Sequence, residues 1–131
     1  MKVVALDYGA ARTGVAVSDP TGTLARPMGV VENAGTEAGL AALAELIRAE
    51  GAERVVVGLP LTLRGEHGEQ ACETERFVEA LRAAVDVPIE SFDERFTTDL
   101  AESAPNPEAP EDARAAAHLL TSYLEWSSGK E

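Results

Sequence analysis

The sequence predicts an α/β protein built on a five-stranded mixed sheet with helices on both faces. Three observations support this class. Five short apolar segments have the length of strands, longer segments repeat apolar residues every three or four positions, and the chain runs through three strands before helices and strands alternate. A strand meander followed by alternating helices and strands gives a sheet that contains both antiparallel and parallel pairs.

The first three predicted strands span residues 2–7, 14–18 and 24–31. The first strand is a near-continuous apolar run that Gly9 interrupts. Residues 19–22, Asp-Pro-Thr-Gly, are expected to form a turn, because proline suits the second turn position and glycine accepts positive φ. Pro27 cannot donate a backbone hydrogen bond, so the third strand is expected at an edge of the sheet or at a bulge.

The next segments alternate between helix and strand. Thr36 is expected to cap a helix that Gly51 ends. The apolar residues of this helix are Leu40, Leu43, Leu46 and Ile47. Residues 55–59 lack polar alternation, which is typical of a strand covered on both faces. The apolar stripe of a second helix consists of Phe77, Val78, Leu81 and Ala84. Residues 87–93 form the fifth predicted strand.

The last third of the chain is predicted to contain a short helix, a loop and a long helix. Thr97 or Thr98 is expected to cap the short helix. Residues 103–110 include three prolines and are expected to form an extended loop. The final helix is expected from about residue 110 to residue 126, with Asp112 on the same side as the core stripe. That stripe consists of Ala115, Ala116, Leu119 and Tyr123.

Length and composition limit the class of protein. A chain of 131 residues can bury one core but is too short for two lobes around a cleft, so we expect a single domain over residues 1–131. No apolar run approaches the roughly 20 residues of a membrane span. The early acid in Met-Lys-Val-Val-Ala-Leu-Asp argues against a secretory signal and predicts a cytoplasmic protein. The net charge of −12 argues against broad wrapping of nucleic acid but leaves room for a small local site.

Three acidic residues, Asp7, Glu94 and Asp112, lie where an apolar element begins or ends. A carboxylate at the rim of a core is costly unless a cation meets it. Asp7 and Glu94 follow predicted strands, and ligands collect at the carboxyl ends of strands in sheets of this class. The pattern therefore indicates a site for divalent metal. Asp93 is an alternative to Glu94, because strand alternation sends these two side chains to opposite faces.

Four sequence blocks carry a resemblance to a known family. They are Asp7-Tyr-Gly-Ala-Ala-Arg12-Thr-Gly14-Val-Ala-Val-Ser-Asp19, Val57-Gly-Leu-Pro60, Asp93-Glu-Arg95-Phe-Thr97-Thr98, and Asp112 followed by Ala115-Ala116 and Leu119-Leu-Thr-Ser-Tyr-Leu124. In order and spacing they resemble the motifs of the YqgF/RuvX family, Holliday-junction-resolvase-like proteins that include pre-16S rRNA nucleases. The resemblance covers nearly the whole chain. It implies a ribonuclease H-like fold, in agreement with the predicted order of elements.

The resemblance also implies an endonuclease that hydrolyses phosphodiester bonds with Mg²⁺ or Mn²⁺. Asp7 would bridge two ions, while Glu94 and Asp112 would each hold one. Such a pair of ions can activate water and stabilise both the attacking and the departing oxygen. The implied substrate is a structured nucleic acid, either a four-way DNA junction or precursor ribosomal RNA.

Basic and hydroxyl residues near the acids are candidates for substrate contacts. Arg12 and Arg95 could each be surface charges paired with Asp19 or Asp93, but in this context they are expected to contact phosphate or to support the acidic residues. Thr97 and Thr98 are expected to cap a helix, and they would contact phosphate only through the helix N-terminus that they define.

Other functions and assemblies remain open from the sequence. A non-catalytic factor of ribosome or transcription complexes would tolerate the strongly negative charge. A nucleotide-binding phosphotransfer protein would explain Asp-x-Gly after the first strand, but proteins of that kind close two such domains around the nucleotide. A DNA junction has two-fold symmetry, so its cleavage would require a homodimer, whereas trimming of RNA would not.

Overall fold

The computed structural model of the chain describes residues 1–9, 11–60, 68–93 and 110–129. The strands are β1 (Val3–Asp7), β2 (Arg12–Ser18), β3 (Ala25–Glu32), β4 (Arg54–Leu59) and β5 (Ile89–Asp93). The helices are α1 (Glu37–Glu50), α2 (Glu69–Ala84) and α3 (Glu111–Gly129). The five strands agree with the predicted ones to within about two residues at each end, and the short helix predicted after Thr97 or Thr98 lies outside the described residues.

The strands form one mixed sheet in the order β3-β2-β1-β4-β5. Strands β1, β2 and β3 pair antiparallel, while β4 runs parallel to both β1 and β5. This arrangement confirms the predicted five-stranded mixed sheet. Because β1, β4 and β5 are parallel, their carboxyl ends meet at the same edge of the sheet.

Helices cover both faces of the sheet, as predicted. On one face α1 and α2 pack through Leu43, Ile47, Phe77, Val78 and Leu81 against side chains that include Val4, Leu6, Val55 and Val57. On the other face α3 packs through Ala116, Ala117, Leu120 and Tyr123 against side chains that include Val3, Ala5, Ala16 and Phe92. Successive strand residues alternate between these two cores, and this alternation assigns each polar strand residue to one face.

The edge strand β3 combines the two features expected from Pro27. Its register with β2 shifts between Val15 and Ala16, which pair with Gly29 and Pro27. Met28 is therefore the extra residue of a bulge, and its side chain is exposed. Pro27 lies at an edge and beside the bulge, the two positions where a strand tolerates proline.

Helix α1 begins and ends at the predicted residues. The hydroxyl of Thr36 accepts a hydrogen bond of 3.1 Å from the Gly39 backbone N–H and so satisfies one of the free donors of the first turn. Gly51 takes the left-handed conformation with φ of 66° and donates to the Arg48 carbonyl at 3.1 Å.

Two alanines predicted in core stripes are exposed. Ala84 lies in the last turn of α2, and the buried face of that helix instead runs from Ala71 through Thr74 to Leu81. In α3 the buried residues include Ala113, Ala117 and Leu120 rather than Ala115. The methyl group of alanine adds little to apolar burial, so the packing of larger neighbours decides which side of the helix faces the sheet.

A partly buried polar network attaches the C-terminal half of α3 to the sheet. Arg54 donates to the Tyr123 hydroxyl at 2.8 Å, and that hydroxyl donates to Glu90 at 2.7 Å. Burial and the hydrogen bond to Glu90 raise the pKa of Tyr123, which therefore remains a donor at neutral pH. In the part of the chain that the structure describes, no helix combines the length and the apolar character needed to cross a membrane.

The turn between β2 and β3 is organised by Asp19. Its carboxylate accepts hydrogen bonds from the backbone N–H groups of Thr23 at 2.8 Å and Leu24 at 2.9 Å, and from the Thr21 hydroxyl. These bonds favour the ionised carboxylate, and the bond from Leu24 contributes most to a pKa well below the usual value of aspartate. Asp19 thus stabilises a turn and lies at the opposite end of β2 from Arg12.

We expect the Asp19→Ala variant to lose part of the acid sensitivity of folding. Because the pKa of Asp19 is lower in the folded chain than in the unfolded chain, its contribution is present above the unfolded value and is lost as pH falls toward the folded one. Urea unfolding would be measured at a series of pH values from about 6 to about 2. The free energy of unfolding should fall less steeply with decreasing pH for the variant than for wild type. The same pH dependence for both proteins would contradict this assignment, and Asp86→Ala provides an exposed control.

Candidate functional site

Asp7 lies at the carboxyl end of β1, the central strand of the sheet. It has the same strand parity as Val3 and Ala5, both of which belong to the core beneath α3. Alternation therefore assigns the half-buried Asp7 side chain to the α3 face of the sheet.

Asp112 lies in the first turn of α3, between the exposed Glu111 and the fully buried Ala113. A carboxylate in this turn is stabilised by the partial positive charge of the helix N-terminus. Its side chain is 37% exposed, so its oxygens reach solvent although its backbone packs against the sheet. Asp112 can therefore offer oxygen ligands to a cation from solvent.

Gly14 brings these two acidic residues together. It is the β2 partner of Asp7 in the antiparallel register, and paired residues of this kind have Cα atoms about 4.5–5.5 Å apart. On the same residue, a Cβ atom would lie 1.8 Å from the carbonyl oxygen of Asp112 and 2.3 Å from its carbonyl carbon. The absence of a side chain at Gly14 thus allows the backbone of α3 to approach the strand pair that carries Asp7.

Sequence reasoning did not assign this function to Gly14. In the sequence, Gly14 stands out only as part of the opening motif and as the start of the second predicted strand. A usable signal was present, because glycine inside a strand often marks a close approach of another backbone. The structure shows that α3 makes that approach and that the contact lies at Asp112.

Arg12 lies on the same face of β2 as Gly14 and forms an ion pair with Asp112. The distance between Arg12 Nε and Asp112 Oδ2 is 3.4 Å. Sequence reasoning offered either Asp19 or Asp93 as a surface partner for the arginines, and the structure places Arg12 beside Asp112 instead. The contact shows that the Asp112 carboxylate is accessible to a cation.

Alternation along β5 assigns the side chain of Asp93 to one face of the sheet. Ile89 belongs to the core beneath α1 and α2. Glu90 and Phe92 face α3, since Glu90 bonds to Tyr123 and Phe92 belongs to that core. Asp93 shares the parity of Ile89, so alternation assigns it to the face opposite Asp7.

The remaining predicted site residues, Glu94, Arg95, Thr97 and Thr98, lie outside the described residues. Within residues 1–9, 11–60, 68–93 and 110–129, no three His, Cys, Asp or Glu side chains converge to hold a metal. The described part of the candidate site is thus the pair Asp7 and Asp112 with Arg12 at its rim. Carboxylate oxygens are the ligands that hard cations such as Mg²⁺ prefer, so these two donors fit that class of ion.

Comparison with protein families shows a match along almost the whole chain. The model of the RuvX family, described as Holliday junction resolvase, matches residues 1–126. A protein of Chloroflexus aggregans named "Putative pre-16S rRNA nuclease" is 47% identical over 76% of this chain and 70% of its own length. Proteins of the same name are 35% identical in Syntrophomonas wolfei, over 100% of this chain and 99% of theirs, and 44% identical in Rubrobacter xylanophilus, over 98% and 95%.

Two solved structures superpose on this chain along nearly its whole length. RuvC of T. thermophilus in complex with a Holliday junction substrate superposes with a TM-score of 0.71 at 18% identity, over 98% of this chain and 96% of that one. The fowlpox virus Holliday junction resolvase superposes with a TM-score of 0.56 at 12% identity, over 96% and 99%. At such low identity the likeness concerns the fold alone, and it confirms the predicted ribonuclease H-like fold.

Proposed function

We propose that this chain, which belongs to the RuvX family of Holliday junction resolvases, is a metal-dependent endonuclease that hydrolyses phosphodiester bonds in structured nucleic acid. The observation that carries the proposal is the convergence of Asp7 and Asp112 on Gly14 at the carboxyl edge of the sheet. We include both precursor ribosomal RNA and branched DNA as substrates, because the relatives named above are described by one or the other.

Asp7, Glu94 and Asp112 are the proposed metal ligands. The structure supports Asp7 and Asp112 through their shared contact with Gly14. Glu94 is preferred to Asp93, because alternation along β5 assigns Asp93 to the face of α1 and α2, opposite Asp7. Mg²⁺ and Mn²⁺ fit a set of three carboxylates that leaves room for water and phosphate oxygens.

When bound, two divalent ions would supply the activated water and the charge that stabilises the reacting phosphate. The residues of the chain then hold the substrate in place. Arg12, 66% exposed at the rim, can direct its guanidinium to a phosphate oxygen beside the carboxylates. Arg95, Thr97 and Thr98 are proposed as further phosphate contacts.

The global charge favours a dependence on metal. With a net charge of −12, the long-range field of the chain repels a polyanion, and local cations must overcome this repulsion. Bound divalent ions would reverse the sign of the field where Asp7 and Asp112 lie. Nucleic acid is therefore expected to bind poorly to the metal-free protein.

A single domain over residues 1–131 and a cytoplasmic location are parts of the same proposal. Resolution of a two-fold symmetric junction would in addition require two copies of the chain, so the oligomeric state in solution bears on which substrate is cleaved.

Cleavage should require Mg²⁺ or Mn²⁺ and should stop when a chelator removes it. The purified chain would be incubated with junction DNA, single-stranded DNA and precursor ribosomal RNA, each labelled at the 5′ end, with and without EDTA. Cleavage of the junction or the precursor RNA, lost with EDTA and restored by excess Mg²⁺, is the expected outcome.

Two results would contradict the proposal. Activity that persists in EDTA would point to different chemistry or to a contaminating nuclease. Tight binding of a substrate without cleavage under any metal condition would favour a non-catalytic binding factor.

A further inference from the structure

We propose that Arg12 and the divalent ion compete for the carboxylate of Asp112, so that metal binding releases Arg12 to the substrate phosphate. This inference rests on the proposed function, because it takes Asp112 as a metal ligand. It assigns Arg12 a second state that couples metal binding to nucleic-acid binding.

The geometry identifies which of the two partners moves. The backbone of Asp112 is held against Gly14, where even a methyl group has no room. Arg12 is a long side chain, 66% exposed, on the first residue of β2, and it reaches Asp112 through Nε at 3.4 Å. An exposed arginine exchanges between partners at little cost, so Arg12 moves while Asp112 stays in place.

Electrostatic repulsion makes the two cations compete at the Asp112 carboxylate. A divalent ion is the largest local charge in such a site, and a guanidinium in contact with the same carboxylate would be repelled by it. Exposed ion pairs are weak, which sets the scale of the competition: the ion pair should reduce metal affinity by roughly two- to fivefold. The exchange is therefore readily reversible.

Glu32 offers Arg12 another partner on the same part of the sheet. It lies directly opposite Arg12 in the β2–β3 register and is exposed. Opposite charges at such cross-strand positions attract each other. When the metal binds the Asp112 carboxylate, Arg12 can pair with Glu32 until a substrate phosphate binds.

The consequence is a reciprocal coupling between two ligands. Metal frees Arg12 for phosphate and so tightens nucleic-acid binding, and nucleic acid that engages Arg12 tightens metal binding by the same factor. Direct bridging of metal and phosphate also couples these ligands, so the share that depends on Arg12 must be measured with variants.

The direct test is the NMR signal of the Arg12 side chain. The Nε–H resonance of Arg12, assigned by its absence in the Arg12→Lys variant, would be followed while Mg²⁺ is added to the full chain without nucleic acid. Its chemical shift should change with the same midpoint as metal binding measured by calorimetry. The Nε–H of Arg26, an exposed arginine at the other end of the β2–β3 pair, should not change. An Arg12 signal that is unaffected at saturating Mg²⁺ would overturn the inference.

Calorimetry with Mn²⁺ gives a second and independent readout. Arg12→Ala should bind Mn²⁺ about two- to fivefold more tightly than wild type. Arg26→Ala should have the Mn²⁺ affinity of wild type. Binding of labelled junction DNA would be measured by fluorescence anisotropy with and without Ca²⁺. The gain in DNA affinity that the metal produces should be smaller for Arg12→Ala than for wild type. The slope of the logarithm of the DNA-binding constant against the logarithm of the salt concentration should decrease in magnitude by about one. Full retention of that gain would also overturn the inference.

The outcomes separate this inference from the proposed function. Wild-type protein that binds no Mn²⁺ would overturn both. Wild-type protein that binds Mn²⁺ and cleaves, together with an Arg12→Ala variant of unchanged metal affinity, would overturn only the exchange at Asp112.

Discussion

Asp7→Asn should reduce the rate of nucleic-acid cleavage by about 10³-fold or more while leaving the chain folded. A metal ion that neutralises a reacting phosphate supplies several kcal/mol of transition-state stabilisation, and each 1.4 kcal/mol corresponds to a factor of ten. The amide of asparagine keeps the shape of aspartate but is a weaker ligand without charge. Asp7 lies at the end of the central strand and is a proposed metal ligand, so its loss should weaken metal binding.

The free energy of unfolding should be equal to or slightly higher than that of wild type in metal-free buffer. Carboxylates gathered without metal repel one another, and Asp7→Asn removes one of them. Single-turnover cleavage and urea unfolding would be measured on the same preparations.

Asp86→Asn, an exposed aspartate between α2 and β5, is the matched control and should behave as wild type in both assays. An Asp7→Asn enzyme with normal activity would decide against the metal mechanism.

Gly14→Ala should both destabilise the fold and impair cleavage. A Cβ atom on residue 14 would lie 1.8 Å from the Asp112 carbonyl oxygen. Real Cβ atoms essentially never come closer than 3.0 Å to another heavy atom, so α3 must move by more than 1 Å. Overpacking of this kind costs about 1–3 kcal/mol of unfolding free energy. A displacement of about 1 Å in a catalytic group can cost about 10²-fold in rate, so we expect a loss of that order.

Gly29→Ala is the control for Gly14→Ala. It adds a methyl group to a strand at a position where no other backbone approaches. Gly29 lies on β3, and a Cβ there would meet nothing within 4 Å. The control variant should keep wild-type activity and stability. Metal affinity measured on folded Gly14→Ala protein should fall as well, because the distance between two ligands has changed. A Gly14→Ala variant with normal stability and metal affinity would show that the contact with Asp112 is unimportant.

The sheet could be predicted from sequence because its strands carry strong local signals. Residues 55–59 are apolar without alternation, and the structure buries Val55, Val56 and Val57 on both faces of β4. Pro27 predicted an edge strand or a bulge, since the constraint of proline on a ladder is local, and the structure shows both.

The details of helix orientation were less predictable. Ala84 and Ala115 fit their apolar stripes yet are exposed, because an alanine satisfies a helical pattern with little energetic preference for either side.

The candidate site was only partly accessible to sequence reasoning. Asp7 and Asp112 could be chosen because each follows or opens an apolar element, and the structure brings their backbones to one glycine. The function of Gly14 was missed because a contact between residues 14 and 112 is a tertiary fact, invisible to local patterns. The ion pair between Arg12 and Asp112 was missed for the same reason.

The network of Arg54, Tyr123 and Glu90 fixes the far end of α3 and thereby influences the position of Asp112. Tyr123 lies eleven residues after Asp112, so the two are about 16 Å apart along the helix axis. A rigid rod of that length, pivoting by about four degrees at Tyr123, would sweep Asp112 through about 1 Å, the scale on which catalytic groups lose their alignment. Residues remote from Asp112 can therefore change the position of its carboxylate without contacting the candidate site.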